Sequence, residues 1–296
     1  MVPLEDIFCF IDDFCKTFQA AHRSNILPNP DRKRQRPCAL ALSEIMTIMV
    51  LFHLSHYRTF KDFYTHALCV HFRKDFPKLV SYNRFLELMP LAAMPLYVLA
   101  SRLRGQETGK YYADSTKLQV CDNLRIKNHK VFKDIAKLGK TSTGWFFGFK
   151  LHLVINHKGE IMGFKLTPGN TDDRKGLEKL ITGLKGWLFG DKGYISQPLL
   201  EKLKKQGLEL ITRGRKNMKK QYISKIKKQW LDKRGLIESV IEQLKSICHI
   251  QHTRHRSAKN FVTNLMAGVL AYILKPKKPN VSFHQHITQE LILTSS

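Results

Sequence analysis

The sequence predicts an α/β fold in which a mixed β-sheet is flanked by helices and preceded by a helical region. Three observations predict it. Apolar residues recur at three- and four-residue spacing from about residue 4 to residue 105. From about residue 109 short runs alternate with period two. Two of those runs end at an aspartate, and a helical stretch further on carries a glutamate.

In the first region, residues 4–22 have helical spacing, and a linker rich in Pro, Arg and Lys follows over 27–37. Ser43 is placed to cap a helix over 44–56 and Thr59 to open another through Leu68. Ser81 is placed to cap 82–88, before Pro90 and Pro95 break the pattern. Short helices with polar turns in a basic chain allow a helix-turn-helix DNA-binding unit, or a plain helical support. In the second region, 110–114 and 118–121 read as two short strands. Residues 145–155 alternate strongly, and His157-Lys158-Gly159 turns the chain into 161–166. Thr171 or Asp172 can cap a helix through Leu184. Strand 187–190, helix 197–206 and strand 208–212 follow, then helices near 231–247 and 258–274. The expected division is a helical, DNA-binding region over 1–105, a core over 106–275 and a loosely held polar tail over 276–296.

The chain has 296 residues, of which 43% are hydrophobic and 25% charged, an ordinary globular balance. The charge is not ordinary. Fifty Lys and Arg stand against twenty-four Asp and Glu, a formal net charge of +26, which fits a polyanion such as nucleic acid. Six cysteines, with no C-x-x-C pair and no basic leader before them, read as reduced thiols in the cytoplasm. The longest apolar stretches, 39–54 and 86–100, are interrupted by Glu44 and by Glu87, Pro90 and Pro95, so no membrane span is expected.

Against this positive background, Asp114, Asp191 and Glu238 stand out. Asp114 closes the run Tyr111-Tyr112-Ala113, and Asp191 closes Trp187-Leu188-Phe189-Gly190 before a glycine turn. Each alone has a plainer reading, since an Asp after a strand is a turn former and a helical Glu pairs with neighbours. Together they suit phosphodiester chemistry. Two divalent ions roughly 3.5–4 Å apart can activate the attacking oxygen and stabilise the leaving one. Such hard cations take oxygen ligands and keep several waters, so two or three carboxylates suffice.

On these residues the chain resembles the DDE transposases of bacterial insertion sequences, whose catalytic core is ribonuclease-H-like. The likeness spans roughly residues 38–275. It rests on Ala113-Asp114-Ser115-Thr116, Phe149-Lys150-Leu151-His152, the run from Thr167 to Asp173, Gly190-Asp191-Lys192-Gly193-Tyr194, and a helix with Arg234, Glu238 and Lys245. The last motif usually has a Tyr three residues before the Arg; here Leu231 stands there. The resemblance implies that Asp114, Asp191 and Glu238 bind two Mg²⁺, for which Mn²⁺ can substitute. It implies that Arg234 and Lys245 hold phosphates, and at i, i+4 and i+11 they share about one helix face with Glu238. Double-stranded element-end and target DNA would be the partner. Two ends must be joined, so a homodimer on DNA is expected. Only 46 residues separate Asp191 from Glu238, which leaves no room for an inserted domain.

Residues 202–228 hold eleven Lys and Arg and one acid, a stretch suited to the phosphate backbone. Arg213, Arg215 and Lys216 within it, and Lys192 beside Asp191, are the further candidate DNA contacts. Cys248, His249, His252 and His255 lack the paired spacing of a structural zinc site and read as a basic turn between helices. His152 is read as a core or surface histidine. Asp172 and Asp173 are read as a helix cap, with Asp173 as an accessory acid the alternative. Two other functions stay open: a non-transposing nuclease or resolvase on the same fold, and a DNA-binding protein that has lost catalysis.

Overall fold

The computed structural model describes residues 3–23, 38–55, 57–214, 223–251 and 255–281. The first helix, α1 (Leu4–Arg23), matches its expected span. Helix α2 (Leu42–Leu54) starts earlier than expected. The Glu44 carboxylate accepts the Ala41 N–H at 2.6 Å, so the cap is built at Ala41 and Ser43 is buried inside the first turn. Thr59 does open α3 (Phe60–Asp62), its hydroxyl accepting from Asp62 N–H, and a π-helical turn continues to Leu68. Ser81 likewise caps α4 (Tyr82–Leu88).

Pro90 and Pro95 do not end the helical path. Pro90 falls in a 3₁₀ turn (Met89–Ala92) and Pro95 in the first turn of α5 (Ala93–Arg102), where the missing N–H has no intrahelical acceptor to lose. Read as one helix, Tyr82–Arg102 is long and apolar enough to cross a bilayer, alone among the described residues. In the fold its Phe85, Leu88, Leu96 and Leu99 are buried in the core.

A six-stranded mixed sheet follows. Strand β1 (Lys110–Cys121) pairs antiparallel with β3 (Gly144–Asn156), which pairs antiparallel with β4 (Ile161–Pro168). On its other side β1 pairs in parallel with β5 (Gly186–Phe189), and β5 with β6 (Leu208–Ile211). Three antiparallel strands with two parallel ones beyond β1 make a ribonuclease-H-like sheet. Residues 110–121 form one strand rather than two, because β3 supplies a ladder along its whole length. An unforeseen hairpin strand, β2 (Lys137–Thr141), pairs with the start of β3.

Strand alternation divides the sheet into two faces. Tyr112, Leu118, Leu151, Leu153 and Ile155 face a cluster shared with α1, α2, α5, α9 (Gly235–Glu242) and α10 (Ala258–Leu274). Phe261 of α10 stacks on Phe149 at 5.3 Å, and α10 also packs on α2 and α5, so the N-terminal helices and the sheet share one core. Tyr111, Ala113 and Val154 face a second cluster under α6 (Asp173–Leu177) and α7 (Gln197–Lys205). Asp172 caps α6 as expected, but α6 ends at Leu177 rather than Leu184. The helix expected over 231–247 is broken. Helix α8 (Lys225–Asp232) ends before Lys233, α9 restarts with Arg234 as its cap residue, and a π-helical turn occupies Gln243–Ile247.

Candidate active site

Asp114 does not terminate its strand; it sits within β1, opposite Leu153 of β3. What ends near it is the parallel ladder. The last β1–β5 pair is Tyr112 with Phe189, so Asp114 and Asp191 each lie two residues past it, at one height on neighbouring chains. This is the carboxyl-end position where ligands gather in such sheets. Beyond β5 the Gly190 N–H still donates to Ile211 O, and Asp191, itself extended, precedes a 3₁₀ turn (Lys192–Tyr194).

Helix α9 crosses the same face, buries Leu236, Ile237 and Val240 against the sheet and leaves Glu238 exposed. One cleft of about 330 Å³ is lined by Asp191, Lys192, Arg213, Arg234 and Glu238, with Leu231 and Asp232 in its wall. Arg234 connects the acids. Its guanidinium donates to Glu238 Oε1 at 2.9 Å and lies 3.7 Å from Asp114 Oδ2. Burial pushes the Asp114 carboxyl up to about 6. The Ser115 N–H and the Arg234 charge oppose that rise, and the nearby charges of Asp191 and Glu238 add to it.

The other expected contacts divide. Arg213 reaches the cleft and donates to Asp232 at 2.9 Å. Lys245 does not line it. The π-helical turn interrupts the expected i+11 alignment, and Lys245 is half-buried, its ammonium disfavoured by desolvation and by Lys117. Arg215, Lys216 and His252 lie outside the described residues. Among the described residues no three His, Cys, Asp or Glu side chains converge to hold a metal ion. The donor chemistry nonetheless fits a hard divalent cation. The cleft's acids offer oxygen ligands, no Cys or His is among its described lining residues, and the half-buried Asp114 carboxyl, held above its usual range, gains from a cation nearby.

A polar network missed from the sequence lies on the opposite sheet face. Ser115 Oγ and Lys150 Nζ both donate to Asp173 Oδ1, at 2.8 and 3.1 Å. His152, 1% exposed, bonds Thr167 Oγ1 at 2.8 Å through Nε2, and desolvation pulls its pKa down to about 4. The signal was available: Ser115, Lys150 and His152 share the parity that places them together across the β1–β3 ladder.

No curated protein matches the chain. A solved structure, "Crystal structure of the Mos1 Strand Transfer Complex", aligns over 79% of this chain and 83% of that one at 12% identity. Its TM-score of 0.24 lends no support to fold or function. The family described as "Transposase DDE domain" matches residues 104–258, more than half of the chain and the segment that carries all three acids. The chain belongs to the DDE transposases.

Proposed function

We propose that this transposase cuts DNA at the ends of a bacterial insertion sequence and joins the freed ends to target DNA, with Asp114, Asp191 and Glu238 as its catalytic acids. The observation that carries the reading is the cleft lined by Asp191, Arg234 and Glu238, with Asp114 behind its wall, 3.7 Å from the Arg234 guanidinium that also bonds Glu238. Divalent ions serve DDE chemistry generally. Held here, two Mg²⁺, or Mn²⁺ in their place, would activate the attacking oxygen and stabilise the leaving one.

The chain's own residues supply the rest. Asp114, Asp191 and Glu238 would provide hard oxygen ligands from within β1, from the segment just beyond β5 and from helix α9. Arg234, Lys192 and Arg213 present cations to a phosphate strand entering the cleft, and we assign Arg215, Lys216 and Lys245 to phosphate contact as well. We assign DNA binding to residues 1–105, catalysis to 106–275 and no role to the tail, and place the protein in the cytoplasm as a homodimer on double-stranded DNA. Asp191→Asn should abolish Mg²⁺-dependent nicking of a plasmid carrying the DNA that flanks the coding region. Retention of that plasmid in a gel-shift assay should be unaffected. A variant that still cuts refutes the metal assignment.

A further inference from the structure

We propose that Asp173 is a positioning residue that fixes the spacing of Asp114 and Asp191 from the opposite face of the sheet, acting through Ser115. This rests on the reading of those two acids as metal ligands. Ser115 follows Asp114, so alternation points its side chain to the face away from the cleft while its backbone N–H donates to Asp114 Oδ1 at 2.8 Å. On that far face its hydroxyl donates to Asp173. Tyr194, 3% exposed, packs with Ala113 and Leu177 on that same face, and its N–H donates to Asp191 O at 3.1 Å. The α6 segment that begins at Asp173 therefore adjoins both the strand of the first acid and the turn of the second.

Asp173 is itself clamped. Lys150, with a side chain 11% exposed, donates to its carboxylate and to Thr171 O, each at 3.1 Å. The His152 ring packs beneath Gly176, where a Cβ would come within 2.4 Å of it. The Asp173 carboxylate is thus held by two donors, with Nδ1 of the buried His152 ring 3.9 Å away. What it does is set the height of Ser115, and a ligand displaced by a fraction of an ångström loses much of its grip on a small, geometrically demanding cation.

The test is Mn²⁺ titration of the full chain followed by electron paramagnetic resonance, alongside melting temperature and plasmid binding in EDTA. Asp173→Asn should weaken Mn²⁺ binding about 10-fold or more, with DNA binding in EDTA unchanged. Ser115→Ala should do the same and Ser115→Thr should restore binding, a pattern a merely structural role would not produce. Glu107→Gln, an exposed charge outside this network, controls for net charge. If Asp173→Asn fails to fold, Ser115→Ala decides. Wild-type Mn²⁺ affinity in Asp173→Asn or in Ser115→Ala, with affinity lost in Asp191→Asn, overturns this proposal alone. Wild-type affinity in Asp191→Asn overturns the acid assignment and this proposal with it.

Discussion

Arg234→Met should tighten divalent-ion binding in the DNA-free protein while weakening DNA binding. Without DNA the guanidinium contacts Glu238 at 2.9 Å and stands 3.7 Å from Asp114, occupying the positive position between two acids. Any ion entering must displace it. Side chains here are partly exposed, 27% for Arg234, 24% for Asp114 and 60% for Glu238, so each contact is worth about 0.5–1 kcal/mol. Two such contacts sum to about 1–2 kcal/mol, about 5- to 30-fold in Kd. Methionine keeps most of the apolar stem, which limits the packing loss. Calorimetric titration of Mn²⁺ into both proteins measures the gain. A filter-binding series against salt should show the slope of log K reduced by about 0.9. Equal or weaker Mn²⁺ binding in the variant would refute the idea that the arginine holds the acids in the ion's stead.

Three further outcomes follow from the packing. His53 is fully buried, and desolvation pulls its pKa from 6.5 to about 4. The unfolded chain thus binds the proton more tightly, and stability present above pH 6.5 is lost as pH falls toward 4. Urea midpoints should reveal a loss of about 2 kcal/mol from this group between pH 7 and pH 5, absent from the difference profile of His53→Gln. Gly176→Ala drives a methyl into the buried His152 ring, and thermal melts should show about 1–3 kcal/mol of destabilisation. Phe261→Ala removes a ring packed on Phe132 and Phe149 and should cost about 3–5 kcal/mol, with near- and far-ultraviolet signals melting together because helical region and sheet share one core.

Much of this was legible from spacing. Caps at Thr59, Ser81 and Asp172 and the extent of α10 followed from side-chain chemistry and periodicity. What escaped depends on partners distant in the chain. Residues 114–118 break the apolar pattern, so β1 looked like two strands; only the β3 ladder makes it one. Residues 231–247 keep helical spacing across the breaks at 233–234 and 243–247, since apolar periodicity does not record a restart or a wide turn, and α8 forms where no helix was expected before 231. The two aspartates were found by their apolar runs, whereas Asp173 was read as a cap because nothing local announces that Ser115 lies within reach.

The equal height of Asp114 and Asp191 also governs where the gene can change. Because side chains in a strand alternate, removing one residue between Tyr112 and Asp114 would swing the carboxylate to the far side of the sheet. By contrast, the 3₁₀ stretch at Asn123–Asn128, with Leu124 97% exposed, sits outside the ladders and can lengthen or shorten without moving either acid. Indels should therefore accumulate in the connections and vanish from two dipeptide intervals, a footprint of chemistry readable in any set of descendants.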